Sequence, residues 1–226
     1  MLLGCKSYVI RICHNAAVEV GQASSYVGIS LKSSFLGIAD YGKRTYLCTQ
    51  KSQRNFLKKQ EQMKSTIVIY GSSTGTCQSI AETIASKLGV KAVDVTNIDA
   101  NTITSHDNLL LGTSTWGAGE IQDDWYDGMK TLKSAGLAGK TVALFGCGDC
   151  ESYPDTFCGG MKELYDAAVE AGATVLPGVS PEGYTYDDSE ALDGDKFLGL
   201  VLDEVNEDDK TEARINAWIA DIQPSL

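Results

Sequence analysis

The pattern of apolar and polar positions changes character near residue 65. From there on, short apolar runs alternate with stretches whose apolar residues recur every three or four positions, the marks of buried strands and one-faced helices. The run Ile67-Val68-Ile69-Tyr70 predicts a first strand over residues 65–70, stopped by Gly71. Helical period follows from about Gly75 to Leu88, with Ile80, Ala81 and Ile84 as its stripe. Residues 91–95 read as a second strand and 108–112 (NLLLG) as a third, continuously apolar as in a strand covered on both faces. A helix is expected over 123–135, a fourth strand over 140–146 and a helix over 156–171. A fifth strand begins at 173–177 and resumes at 197–202, with a polar loop between that carries Tyr184 and Tyr186. The last helix is placed at 208–222. Strands alternating with helices predict an α/β fold, a doubly wound five-stranded parallel sheet covered on both faces. Such sheets most often take the order 2-1-3-4-5, with a ligand crevice beyond the strand ends where the order switches, between the first and third strands.

That topology singles out the loops after strands one, three and four. The first is Gly71-Ser72-Ser73-Thr74-Gly75-Thr76-Cys77, four of its residues bearing hydroxyls, and it opens into a helix N-terminus. Inward N–H groups and hydroxyl donors at a helix start make an anion site. No Lys or Arg occurs from Gly71 to Ser86, so this is not a Walker A loop, and the G-x-G-x-x-G fingerprint is missing too. Neutral donors of this kind suit a single phosphate; the plainer alternative is an ordinary polar βα turn. The second loop, Thr113 to Glu120, sets Trp116 beside Gly117 and Gly119. The third, Gly146-Cys147-Gly148-Asp149-Cys150-Glu151-Ser152-Tyr153, offers another aromatic plate. Two plates across a crevice suit a planar ring. With the phosphate nest beside them, the ligand is a flat heterocycle carrying one phosphate, which describes flavin mononucleotide (FMN).

Charge divides the 226-residue chain. From Met1 to Gln62 there are nine Lys/Arg against three Asp/Glu, and from Met63 onward ten against twenty-seven, hence +6 and −17 within the overall −11. The acidic body excludes nucleic acid as a partner, since phosphates would be repelled, and favours proteins with a basic docking face. Residues 1–62 hold none of the alternating pattern and are expected to be disordered. Three readings compete for them: a transit peptide, a secretory signal, or an over-extended reading frame with Met63 as the true start. The position of Met63, two residues before the first strand, favours the third, giving 1–62 as an extension and 63–226 as the domain. Seven cysteines, odd in number and without framework spacing, point to a reducing, cytoplasmic setting, or an organelle such as a plastid should the extension be a transit peptide. No window is apolar enough for a membrane span.

Cys147-Gly148-Asp149-Cys150 has the spacing of thiol-redox and metal sites, but it sits on a loop with an acid between the thiols, and further ligands are lacking. The only histidines are His14 and His106, away from the three loops, so no Ser-His-Asp or Cys-His set is available. No metal site and no catalytic residue are expected.

Tyr70 to Thr76, Thr115-Trp116 running to Gln122-Asp123-Asp124-Trp125, and Phe145 to Asp149 with Tyr153 together resemble the flavodoxins, over residues 63–222. The stretch from Gly183 to Glu204 resembles the loop that interrupts the fifth strand in the long-chain class. The resemblance implies a low-potential one-electron carrier rather than an enzyme, shuttling FMN between semiquinone and hydroquinone and docking on redox partners as a monomer. It implies that Ser72, Ser73, Thr74, Gly75 and Thr76 hold the phosphate, and that Trp116 and Tyr153 flank the ring. Cys147, Gly148 and Asp149 would line the ring's pyrimidine edge. Gly117 would turn a carbonyl of the Trp116–Gly117 region towards flavin N5. Cys77 stands where the family usually has Thr, and a thiol is the weaker donor. The alternative on the same fold is an FMN-dependent NAD(P)H:quinone-type reductase, which the acidic body and double stacking disfavour.

Overall fold

The computed structural model describes residues 65–226 and, before them, the strands Tyr8–Ile12, Val18–Gln22, Tyr26–Leu31, Ser34–Tyr41 and Arg44–Thr49. The chain divides into two compact units, Met1–Met63 and Lys64–Leu226. In the first, Tyr8–Ile12 pairs antiparallel with Val18–Gln22, while the other three strands pair antiparallel in chain order. Where the sequence reading expected disorder, five short runs rich in Val, Ile and Tyr, residues that favour strands, take up strand pairing. The charged run from Lys58 to Gln62, Met63 and His14 lie outside the described residues.

In the second unit, β1 (Thr66–Gly71) leads into α1 (Thr76–Leu88), followed by β2 (Lys91–Asp94), the short α2 (Ala100–Thr104) and β3 (Asn108–Trp116). Then come α3 (Trp125–Ala135), β4 (Thr141–Cys147), α4 (Met161–Glu170), β5 (Thr174–Val175), β6 (Leu200–Leu202) and α5 (Asp208–Ile222). The sheet runs β2-β1-β3-β4 and then β5 and β6, every pairing among them parallel. β5 pairs with the start of β4 and β6 with its end, so the two pieces share one edge position. The sequence order 2-1-3-4-5, with its interruption, is the order found.

Alternation explains why both faces are covered. Ile67, Ile69, Leu109, Leu111, Val142 and Leu144 point to one side, where Trp125 and Leu132 of α3 and Leu164 and Ala168 of α4 meet them. Val68, Leu110, Ala143 and Phe145 point to the other, against Ile80 and Ile84 of α1 and Ile215 and Trp218 of α5. Gly112 is small because Phe145 lies across it; a Cβ there would fall 2.0 Å from the ring.

The interrupting segment leaves and re-enters the edge through Val179, which accepts from Phe197 N–H (2.9 Å) and donates to the Gly199 carbonyl (3.3 Å). Its Tyr184 and Tyr186 rings pack with Phe157 and Phe197 at 5.3–6.5 Å between centroids. Arg214 of α5 pins it from outside, stacked 3.8 Å over Tyr184 and paired with Glu207 at 2.7 Å.

Three elements differ from the sequence reading. β3 continues past residue 112 to Trp116, because Thr115 and Trp116 pair antiparallel with Ile121 and Glu120. The helix expected from residue 156 starts at Met161, after a 3-10 turn at Pro154–Thr156 and a left-handed Cys158 (φ 55°). α2 was not foreseen; Asp99 and Thr102 close a capping box at its start, a signal the sequence does carry.

Candidate functional site

The carboxyl ends of β1, β3 and β4 open onto one crevice of about 220 Å³. Its walls gather Thr74, Thr76, Thr115, Trp116, Gly117, Cys147, Gly148, Asp149 and Tyr153, nine of the fourteen residues named from sequence. Ser114, Thr156, Phe157, Glu204 and Val205 complete it. No Lys, Arg or His lines it.

The first wall is the loop between β1 and α1. Ser72 Oγ accepts from Gly75 N–H at 3.1 Å and closes it on itself. Gly75 then turns left-handed (φ 94°) at the helix start, where no side chain caps the first N–H groups and no acid stands in the first turn. Ser73 Oγ accepts from the Gln122 amide at 3.4 Å, and that amide also donates to Asp124 at 2.7 Å. Cys77 lies elsewhere than the crevice wall: it is fully buried in the α1-side core. A hydrogen bond with the Cys147 thiol, reinforced by burial, pushes its pKa well above the ordinary thiol range.

The second wall is the tight hairpin after β3. Gly117 (φ 51°) and Gly119 (φ 108°) both take left-handed backbone that disfavours a side chain. Gly119 N–H donates to the Trp116 carbonyl at 3.0 Å, and Ala118 N–H to the Glu120 carboxylate at 2.5 Å. The Trp116 carbonyl keeps a second lone pair, so its peptide with Gly117 still offers an acceptor. Trp116, 43% exposed, is steadied by its indole N–H on Ser114 Oγ (2.9 Å).

The third wall follows β4. Gly148 has no room for a Cβ, which would lie 2.8 Å from Phe157 and 2.9 Å from Cys158 N. Tyr153, 56% exposed, forms the second aromatic plate. Asp149 accepts from Ser152 N–H (2.9 Å) and Glu151 N–H (3.2 Å), and the first of these holds its carboxyl below the usual range. Cys150 is buried, and desolvation beside Asp203 pushes its thiol up to about 11, leaving a poor nucleophile. No group of three or more metal-ligating side chains is found among the described residues.

Sequence reasoning missed Ser114, Thr156, Phe157 and the Glu204–Val205 turn as lining residues, and Gln122 as the link from Ser73 to α3. The turn was discoverable: once β6 is seen to complete the fifth edge position, the loop after it must reach the same sheet end.

An FMN-like group fits this crevice on an observation internal to it. Thr115 Oγ1 is buried without a hydrogen-bond partner in the protein, beside two exposed aromatic plates and an uncapped helix start. A native structure rarely leaves such a donor unmatched. A nicotinamide reductase would need cations for the dinucleotide's phosphates, and none stands here. No helix among the described residues is long and apolar enough to cross a membrane.

Comparison with known proteins agrees with this geometry. The family model described as flavodoxin matches residues 68–218. Flavodoxin 1 of Azotobacter vinelandii is 40% identical over 163 residues, covering 69% of this chain and 94% of its own. The flavodoxin of Helicobacter pylori is 38% identical over 161 residues, covering 70% and 96%. A crystal structure of Fusobacterium nucleatum flavodoxin bound to flavin mononucleotide superposes with a TM-score of 0.68 at 32% identity, covering 73% of this chain and 99% of that one. The sheet order, the three loops and these likenesses converge: the chain belongs to the flavodoxins, a family of electron-transfer proteins.

Proposed function

We propose that the unit from Lys64 to Leu226 binds one FMN in the crevice and carries single electrons between partner proteins. The observation that supports this reading most is the meeting, in one crevice, of a cation-free hydroxyl nest with two exposed aromatic plates. Ser72 to Thr76 and the first N–H groups of α1 hold the phosphate, Trp116 and Tyr153 cover the ring's two faces, and Cys147 to Asp149 present the backbone to its pyrimidine edge. Thr115 Oγ1 gains a partner. The bound flavin supplies the redox chemistry. The chain orients it, excludes water from its faces and places only neutral or acidic groups around it. Negative charge added to a ring so surrounded is penalised, which lowers the potential and makes the reduced protein a strong donor.

Partners with basic faces dock at the open edge. Glu120, Asp123, Asp127, Glu151 and Asp155 are all exposed around the hairpin and the Tyr153 loop, and they steer such partners by long-range attraction. The carrier acts as a monomer in a reducing, cytoplasmic setting, in keeping with its four buried free thiols among the described residues. Reconstituting the full chain with FMN and photoreducing it in steps tests the reading. One equivalent bound, with a blue species at half reduction, is expected. Equal or tighter binding of the flavin dinucleotide, or turnover of NAD(P)H with quinone, overturns it.

A further inference from the structure

The Cys147–Tyr153 loop is fastened to the turn after β6 at three points. Gly148 N–H donates to the Leu202 carbonyl at 3.0 Å, and Cys150 N–H to Asp203 Oδ2 at 2.8 Å. The third point is Asn206, whose amide nitrogen donates to Asp149 Oδ1 and Asp203 Oδ2, both at 2.9 Å. Asp203 is fully buried, and its other oxygen accepts from Val205 and Asn206 N–H, both at 2.9 Å. Burial opposes its ionisation, but the Asn206 amide and Cys150 N–H outweigh that and keep the carboxyl below its usual range. One neutral amide thus stands between two carboxylates that otherwise repel each other, and one of the two borders the crevice. Replacing that amide leaves the buried Asp203 short of a donor and loosens Asp149, where a lost partner to a charged group weighs more than one to a neutral group.

We propose that Asn206 is a positioning residue for the flavin ring: its amide, shared between Asp149 and Asp203, holds the Cys147–Tyr153 loop in the arrangement that receives the ring. The inference rests on the FMN reading above and deepens it. Its distinguishing feature is location. The phosphate nest is braced from the other side, through Ser73 and Gln122, so Asn206 acts on the ring and leaves the phosphate untouched.

Riboflavin, which has the ring and lacks the phosphate, separates the two. Dissociation constants of FMN and riboflavin are measured by fluorescence quenching on the full-length apoprotein, for the natural chain, Asn206→Leu, Asn206→Asp and Ser73→Ala. Asn206→Asp keeps the shape and the turn while turning the donor into an acceptor, so it reads the same effect should Asn206→Leu fold poorly. Both Asn206 variants are expected to weaken the two ligands by the same factor, tenfold or more, leaving their ratio unchanged. Ser73→Ala is expected to weaken FMN alone. Riboflavin binding within twofold of the natural chain in Asn206→Asp, even with a lowered melting temperature, makes Asn206 a merely structural residue and overturns the proposal. A loss confined to FMN overturns it equally. A natural chain that binds neither ligand instead sinks the cofactor reading itself.

Discussion

Gly71 closes β1 where the chain turns into the phosphate nest, and its missing side chain is the most testable detail of the site. A Cβ there would lie 2.4 Å from Gln122 Oε1 and 2.6–2.7 Å from the Trp125 indole. Neither neighbour is free to retreat. Gln122 is buried and bonded to Ser73 and Asp124, and the fully buried Trp125 donates its indole N–H to the Gly112 carbonyl at 2.9 Å. Gly71→Ala therefore overpacks a rigid contact, at about 1–3 kcal/mol. The backbone of Gly71 is not left-handed, so Ala also restricts the unfolded chain and returns roughly 0.4–1 kcal/mol. Overpacking wins, and a net loss on the order of 1–2 kcal/mol is expected in equilibrium urea unfolding of the apoprotein. Because the displaced groups brace Ser73, FMN affinity should fall while riboflavin affinity changes little. Trp125→Phe in the same chain removes the indole nitrogen that would lie 2.7 Å from the new Cβ, so the double variant should be less unstable than the two losses added together, with a coupling of at least about 0.5 kcal/mol. Gly71→Ala as stable as the natural chain, or strict additivity with Trp125→Phe, would refute the rigid contact.

Cys77→Thr puts a hydroxyl where a buried thiol meets only Cys147 and the core, so the apoprotein should lose about 1–3 kcal/mol in urea melts. Held in the core away from the crevice wall, that hydroxyl should leave FMN affinity unchanged; a gain of roughly 0.5–1.5 kcal/mol would show that it reaches the phosphate after all. Tyr184 has its pKa raised by burial from 10.0 to about 12, so the stability it contributes is whole below pH 10 and drains away as pH rises towards 12. Ultraviolet titration with alkaline melts checks this, and Tyr184→Phe should flatten that limb of the stability curve. Reversing Asp123 and Asp127 to Lys should abolish most of the salt dependence of electron transfer to a basic reductase, leaving the flavin spectrum unchanged; indifference to both would remove the rim from docking. Melting temperatures of the full chain and of a form beginning at Met63, both with FMN, should agree; a fall of several degrees in the shorter form would show that residues 1–62 contribute to the domain's stability.

The sheet was legible in the sequence because burial on both faces leaves uninterrupted apolar runs such as NLLLG and TVALFG, which do not depend on what lies far away. The three loops were legible for the same reason: strand order dictates which loops meet at the switch point, and their residue types are local facts. The pairing of Thr115 and Trp116 with Ile121 and Glu120 was not, since a two-residue strand has no period to read. Nor could spacing show that the Cys77 thiol turns to Cys147, seventy residues on, or that Gly71, Gly112 and Gly148 are small because the Gln122 amide, the Phe145 ring and the Phe157–Cys158 pair press on them. The Asp149–Asn206–Asp203 bridge joins residues up to fifty-seven positions apart. Local chemistry is written in the order of the residues; which buried donor meets which acceptor is decided only when separate strands are brought to one edge, because hydrogen bonds depend on distances that folding alone supplies.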